Sequence, residues 1–458
     1  MAGIFKAYDI RGTVPDPLNP ELAHLIGRAL GEWLKSGMVL VTHDMRTHSP
    51  ELSDALILGL REAGRDVLHA GLGSTPMNYW ANVHYRADAS VSVTASHNAG
   101  HYNGFKVSLS EARPVGFDTG IGEIEKQVHA WQRDGPPTPR PLGKLSRQEG
   151  ALDAYMDAMD AFLSPITRPL KIAVDCANGM GGHFIRKFFD RHPELTAVPL
   201  YWDLDGTFPN HEADPLKAEN MADVQAATKK HACDVGAAFD GDADRCMFTD
   251  EQGTIIPSDL LIGLLAEEVL KNHPGCPILH DLRSSRAVPE RIRELGGEPI
   301  RGRVGHAFMK ALMRERGAKF GGELSGHYYF ADLANTDSGL MALIRVINRL
   351  QANAAPLSAQ MAPLRRYFAT GEINYRVPEV GPVLAEIERR YAATGTKPDK
   401  LDGLTVECGD WWFNLRASNT EPLLRLNLEA GTATDRDVRL KEVSGLIHEL
   451  GGKPAGGH

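Results

Sequence analysis

Two rhythms of apolar and polar positions recur along the chain. Short β-branched runs read as strands, and the longer stretches between them carry apolar residues every three or four positions, as amphipathic helices do. Met38 to Thr42 reads as a strand and Glu51 to Ala63 as a helix. Thr75-Pro76 looks like a helix N-cap followed by proline at the first helical position, opening a helix that runs through Tyr85. Ala89 to Val93 alternates valine with small residues and reads as another strand. The pattern then predicts a helix over Leu152 to Leu163, strands over Leu170 to Ala177 and Val235 to Phe239, a helix over Asp259 to Lys271 and a strand over Ile278 to His280. A hairpin-like pair spans Trp411 to Leu428, a helix covers Asp435 to Leu450, and the tail 451–458 is expected to be disordered.

Strands alternating with helices point to α/β units, and 458 residues are too many for one hydrophobic core. The proline- and glycine-rich stretch from Arg133 to Lys144 marks a first boundary, and others fall near Gly253 and between Pro363 and Thr370. The expected domains are 1–147, 148–252, 253–366 and 367–458. No short-period repeat is visible, which excludes a solenoid. The turn Asn178-Gly179-Met180-Gly181-Gly182 lacks the third glycine of a dinucleotide fingerprint, since Phe184 stands there, and is read as a tight turn.

A net charge of −9 argues against a nucleic-acid binder, but not against an anionic substrate held by local positive charge. Five cysteines without a CxxC pair suggest free, mostly buried thiols in a reducing compartment. The N-terminus lacks a signal-peptide core and no apolar run is long enough to span a bilayer, so cytoplasm is expected and no membrane partner.

Four loops carry candidate chemistry. Thr94-Ala95-Ser96-His97-Asn98 ends a strand and displays a serine where α/β folds bind ligands. The following run, Tyr102 to Val107, is read as a turn that places Lys106 near it. Phe239-Asp240-Gly241-Asp242-Ala243-Asp244-Arg245 also follows a strand. Carboxylates at alternate positions of an extended segment share one face and repel unless a cation sits among them. An all-oxygen set suits a hard divalent ion such as Mg²⁺, and Arg245 would add positive charge for a phosphate. In Gly321-Gly322-Glu323-Leu324-Ser325-Gly326-His327, Glu323 and Ser325 could read vicinal sugar hydroxyls; a glycine-rich turn around a buried glutamate is the alternative. Arg416-Ala417-Ser418-Asn419-Thr420-Glu421-Pro422 has the groups of a phosphate cradle, or of a polar hairpin turn.

In this order the four loops resemble those of the α-D-phosphohexomutases, closest to the phosphomannomutase/phosphoglucomutase branch, over nearly the whole chain from Tyr8-Asp9-Ile10-Arg11-Gly12 to Pro422. The resemblance implies an α/β fold of four domains in a heart-shaped arrangement, three related mixed α/β domains and a C-terminal α+β domain, with the active site in a central cleft. It implies an isomerase that moves a phosphoryl group between the 1- and 6-positions of mannose or glucose phosphates through phosphoserine and a bound bisphosphate. By it Ser96 carries the phosphoryl group, and Ser96, Asp240, Asp242 and Asp244 bind Mg²⁺. Lys106 and His306 are candidates for proton transfer, with Arg11 and Arg245 beside the phosphoserine. Tyr8, Arg283, Glu323, Ser325 and His327 face the substrate, while Arg416, Ser418, Asn419 and Thr420 hold the phosphate that is not reacting. Glucose 1,6-bisphosphate or mannose 1,6-bisphosphate is the implied activator, and either a monomer or a dimer fits.

Two departures stand out. Ala99-Gly100-His101 replaces a frequent proline pair, which implies a looser serine loop, and Arg283 stands where many members have lysine. Glu-Leu-Ser at 323–325 is nearer the Glu-Met-Ser of the mannose/glucose branch than the Glu-Gln-Ser of the glucosamine mutases. A phosphoglucosamine mutase, a phosphatase-like hydrolase and a non-catalytic phosphosugar-binding homologue are the alternatives.

Overall fold

The computed structural model describes residues 3–35, 37–417 and 423–455, which form two compact units, Met1–Ile256 with Ser325–Ser358 and Pro257–Leu324 with Ala359–His458. Ser418, Asn419 and Thr420 lie outside the described residues.

The first unit is built on two mixed sheets. In the first sheet the strands are ordered Ile10–Thr13, Tyr102–Leu109, Ala89–Val93, Met38–His43, Asp66–Leu72 and Leu145–Arg147, with Arg113–Pro114 beside Tyr102–Leu109. Met38–His43 runs parallel to both Asp66–Leu72 and Ala89–Val93, whereas Tyr102–Leu109 runs antiparallel to Ala89–Val93. Val39, Val41, Val91, Val93 and Phe105 of this sheet are buried in one core with Leu30, Leu56 and Leu60 of the helices Pro20–Leu34 and Ser49–Glu62. The second sheet repeats the plan. Leu195–Leu200, Leu170–Asp175 and Val235–Phe239 are parallel, and Cys246–Thr249 turns back antiparallel to the last of them. In both sheets, the turn between the last parallel strand and its antiparallel successor carries one of the chemistry-bearing loops.

In the second unit Pro277–Asp281 lies between Glu298–Gly302 and Phe320–Gly322, parallel to both. A separate antiparallel sheet, ordered Leu404–Glu407, Trp411–Ala417, Leu424–Ala430, Phe368–Arg376 and Lys453–Pro454, packs against the helices Val380–Ala392 and Ala433–Glu449.

Most expected elements are present, with helix ends displaced by one to three residues. The helix expected over 152–163 is Ala151–Asp160; Pro165, shortly beyond, bars a longer one. Three readings need correction. Tyr102–Leu109 is a full strand rather than a turn, and pairing sets Lys106 opposite Ser92. The N-cap before Pro76 is Ser74, whose hydroxyl accepts from the Met77 N–H at 3.3 Å; Thr75 is already helical, which frees its own hydroxyl for another partner. Finally, Lys453–Pro454 pairs with Tyr375–Arg376, so the tail contributes an edge strand. Cys176, Cys233 and Cys246 are buried and Cys276 and Cys408 half-buried, all as free thiols. Among the described residues no helix is long and apolar enough to cross a membrane.

Loss of a serine cap costs about 1 kcal/mol. Ser74→Ala is therefore expected to lower the unfolding free energy by about that amount, read by denaturant titration.

Candidate active site

Ser96 sits in the turn after Ala89–Val93 with φ at +51°, a left-handed conformation that a non-glycine residue adopts at a cost. Several side chains impose it. The Thr94 hydroxyl accepts from the Ser96 N–H at 3.0 Å. Arg46, fully buried, donates to four carbonyls of the loop: Ser96 at 2.8 Å, Asn98 at 2.6 Å, Ala99 at 2.8 Å and Tyr102 at 3.0 Å. Its Nε reaches Asp44 at 3.2 Å, and its guanidinium lies 5.0 Å from the centre of the Phe208 ring. His48 Nδ1 accepts a hydrogen bond from the Asn103 amide, which leaves Nε2–H to donate to the Gly100 carbonyl at 3.2 Å. The loop expected to be loose for want of prolines is thus tied at five carbonyls.

The aspartate loop meets this turn. Ser96 Oγ donates to Asp240 Oδ2 at 3.0 Å and lies 3.2 Å from His97 Nδ1. Gly241 makes the approach possible, since a Cβ there would stand 2.3 Å from the Ser96 carbonyl oxygen. Asp240, Asp242 and Asp244 are at most 1% exposed and offer ligand atoms within 4.8 Å of one another. They converge through a turn, with Ala243 at φ +61°, and not through the alternation of an extended segment.

Charges at that spacing repel by roughly 3–4 kcal/mol per pair at an effective dielectric of about 20. Burial, then Asp244 and Asp242, push the Asp240 carboxyl well above its ordinary range. Burial opposes ionisation of Asp242 and Asp244 as well, but Lys106 holds both below it. The Lys106 ammonium donates to Asp242 and Asp244 at 2.6 Å each; burial acts against its charge, and the two carboxylates outweigh burial and raise its pKa well above that of a free lysine. Thr75, released from capping, donates to Asp242 at 2.6 Å. Among the described residues, Asp242 Oδ1 and Asp244 Oδ1 are buried without a hydrogen-bond partner. Orphaned carboxylate oxygens in an all-oxygen cluster fit a hard divalent cation.

Arg245 turns back over the loop. Its N–H donates to Asp240 Oδ1 at 3.1 Å and its Nε to His327 Nε2 at 2.9 Å. Because a guanidinium only donates, the His327 proton is on Nδ1, which faces Asp337 at 2.7 Å. Arg11 donates to the Asn98 side chain at 2.5 Å and pairs with Asp9. Burial, with Arg245 and Arg11 nearby, holds the His97 pKa well below the usual imidazole value, so the ring beside Ser96 is neutral. Tyr8 is half-buried at the start of the chain.

In the second unit Glu323 is 1% exposed and accepts from the Gly305 N–H at 2.7 Å, which ties it to the segment that opens the helix His306–Arg316. Arg283 pairs with Asp281 at 2.7 Å and stands 3.6 Å from Glu372. Arg416 is 3% exposed and donates to Glu372 at 2.8 Å. Ser325 and His327 belong to the first unit, so the division between units falls inside the glycine-rich loop, between Leu324 and Ser325.

Family models of phosphoglucomutase/phosphomannomutase match four successive segments: α/β/α domain I over residues 2–134, domain II over 153–253, domain III over 257–367 and the C-terminal domain over 372–442. The chain belongs to the phosphoglucomutase/phosphomannomutase family. It is 39% identical to a phosphomannomutase of Escherichia coli over 97% of this chain and 98% of that protein. It is equally similar, at 39%, to a Xanthomonas campestris protein named for phosphohexose mutases, again over 97% of this chain and 98% of that one. A crystal structure of a phosphoglucomutase/phosphomannomutase family protein from Burkholderia thailandensis matches with a TM-score of 0.89 and 33% identity, covering 98% of both chains. The mixed α/β sheets and the four matched segments bear out the expected fold class.

For this phosphoglucomutase/phosphomannomutase family member, sequence reading overlooked several groups that shape the site: Asp44, Arg46 and His48 under the serine loop, Thr75 on Asp242, Asp337 behind His327, and Glu372 beside Arg416. Only the first group left a signal. Asp44-x-Arg46 follows directly on the strand Met38–His43, the position where α/β folds place functional groups.

Removing one partner of a buried ion pair typically costs about 3–5 kcal/mol. Arg46→Met is expected to destabilise the fold by that order, with Arg46→Lys recovering only part, since lysine can reach Asp44 but cannot serve four carbonyls. Urea unfolding of the three proteins checks this.

Proposed function

We propose that the chain is a phosphomannomutase/phosphoglucomutase, an isomerase that interconverts the 1- and 6-phosphates of mannose and of glucose through a phosphorylated Ser96. The observation that carries this reading is the Ser96 hydroxyl 3.0 Å from Asp240, within a buried triple-aspartate loop. A serine displayed only for solubility or packing would have no reason to lie against three buried carboxylates.

The residues divide the work. Ser96 Oγ delivers the phosphoryl group to the free sugar hydroxyl, whose proton leaves as the new P–O bond forms, and the other phosphate later returns to the same oxygen. Asp240, Asp242, Asp244 and the serine phosphate would hold Mg²⁺, which supplies charge neutralisation during transfer. Arg245 and Arg11 hold the phosphoserine from either side, and Arg245 is oriented by His327 and Asp337. His306 takes the hydroxyl proton; Lys106, expected to share that task, is held as an ammonium by Asp242 and Asp244 and supplies positive charge to the aspartate loop. Tyr8, Glu323, Ser325 and His327 bind the sugar. Arg283, Arg416, Ser418, Asn419 and Thr420 grip the phosphate that is not reacting. This remote binding energy positions a loose phosphoryl transition state. Glucose 1,6-bisphosphate or mannose 1,6-bisphosphate serves as the activator that primes Ser96. Glucose and mannose differ only at C2, which contacts to other hydroxyls do not read, so both are expected substrates. Five free thiols suit a reducing compartment, and we assign the chain to the cytoplasm.

The decisive assay is conversion of glucose 1-phosphate to glucose 6-phosphate with Mg²⁺ and trace glucose 1,6-bisphosphate. Wild type is expected to turn over, and Ser96→Ala to lose at least about a thousandfold, roughly 4 kcal/mol of transition-state stabilisation. Release of inorganic phosphate in place of product would indicate a hydrolase. Mannose 1-phosphate turned over more than about a thousandfold less efficiently than glucose 1-phosphate would end the dual-substrate reading.

The metal reading has its own measurement. A cation that binds only the folded chain stabilises it by about 2.7 kcal/mol at a hundredfold excess over Kd. Mg²⁺ should therefore raise the unfolding midpoint of wild type but not of Asp242→Asn. An unmoved wild-type midpoint would count against these carboxylates as metal ligands.

A further inference from the structure

The last sheet of the second unit places two arginines directly opposite each other, Arg416 on Trp411–Ala417 and Arg425 on Leu424–Ala430. Like charges in a cross-strand pair repel, and Arg283 adds a third guanidinium whose charge, after burial, lowers the pKa of Arg416. Arg283 pairs with Asp281, but one carboxylate lies against all three. Glu372 accepts from Arg416 Nη2 at 2.8 Å and from Arg425 Nη1 at 2.7 Å, and stands 3.6 Å from Arg283 Nη1. Burial works against its charge, and Arg416, Arg283 and Arg425 together hold its pKa below the ordinary carboxylate range.

The backbone is built to put Glu372 there. The register of Phe368–Arg376 against Leu424–Ala430 shifts between Ala369 and Glu372, at a bulge where Gly371 has φ +70°. The Thr370 hydroxyl fills the interrupted ladder, accepting from the Leu428 N–H at 3.1 Å and sharing its one proton between the Gly371 carbonyl at 2.8 Å and the Leu428 carbonyl at 3.2 Å. The carboxylate occupies one corner of each facing guanidinium. Arg416 Nε, buried in a side chain only 3% exposed, has no hydrogen-bond partner among the described residues. That donor is held ready for a ligand.

We propose that Glu372 is a positioning residue for phosphate recognition: it yokes Arg416 to Arg425 and fixes the Arg416 guanidinium so that its remaining donors meet phosphate oxygens already oriented. The inference rests on the reading of Arg416 as a phosphate-binding residue, and on no contact between Glu372 and the substrate.

The test compares Glu372→Gln, Glu372→Asp, Arg416→Met and the double variant Glu372→Gln/Arg416→Met in the full-length protein. It follows kcat and KM for glucose 1-phosphate, competitive inhibition by inorganic phosphate, and the unfolding midpoint. Glu372→Gln is expected to raise KM and the inhibition constant of phosphate together by about tenfold while kcat stays within about threefold, with little effect remaining in the Arg416→Met background. Glu372→Asp, which keeps the charge, should recover part of the loss, and it carries the comparison if the glutamine variant folds poorly. Unchanged or tighter phosphate binding in Glu372→Gln, beside weakened binding in Arg416→Met, overturns the role of Glu372. So does a Glu372→Gln penalty undiminished in the double variant, or a fall in kcat and midpoint with KM unmoved. Unchanged phosphate binding in Arg416→Met overturns the reading of Arg416 itself.

Discussion

Three carboxylates buried within 4.8 Å of one another are the constraint around which the first unit is organised. Left alone they would destabilise the fold or take up protons, and Lys106 keeps Asp242 and Asp244 ionised while Asp240 is pushed towards its protonated form. Lys106 comes from a strand of the first sheet and reaches Asp242 and Asp244 on a loop of the second. Thr75 and Ser96, also from the first sheet's side, donate to Asp242 and Asp240. The charge cluster is therefore also the join between the two sheets, and the Ser96 hydroxyl is held by the same contacts that hold the fold.

The second unit solves the opposite problem with the same device. There guanidiniums are crowded, and Glu372 and Asp281 keep them in place. A surplus of buried negative charge suits a divalent cation, and a surplus of buried positive charge suits a phosphate. On the proposed function, each unit holds its charged groups in an arrangement that is tolerable without a ligand and better satisfied with one. Such preset geometry is what a loose phosphoryl-transfer transition state requires, because charge placement rather than covalent help lowers the barrier.

The sequence made the chemistry-bearing loops legible because each sits in a short local motif. Ser96, the three aspartates, Glu323 and Arg416 could all be found by spacing and by position after a strand. The partners were not legible, because they are distant in sequence and ordinary in type. Asp337 is a lone acid 10 residues beyond His327, and Glu372 precedes Arg416 by 44 residues across two strand pairings. Thr75 was misread because Ser74 and Thr75 are both competent caps, and only the helix geometry decides between them. Lys106 was expected near the serine for the wrong reason. A strand register, not a turn, sets it opposite Ser92 and carries its ammonium to Asp242 and Asp244. Likewise the aspartates converge because Ala243 adopts a left-handed backbone, a choice that alternation of residue types cannot reveal.

The absence of prolines after Asn98 illustrates how local rules and tertiary structure trade places. A proline pair stiffens a loop by restricting the unfolded chain and the backbone dihedrals directly. Here the same loop carries alanine, glycine and histidine, yet Arg46 and His48 engage five of its carbonyls. Stiffness is supplied from outside the loop, by a buried cation anchored on Asp44. That arrangement has an electrostatic consequence that prolines would not have. The guanidinium that shapes the loop also places a full positive charge beneath Ser96, where a phosphoryl group carried on that serine would bring negative charge close to three carboxylates. Loop geometry and charge balance at the serine thus rest on one side chain.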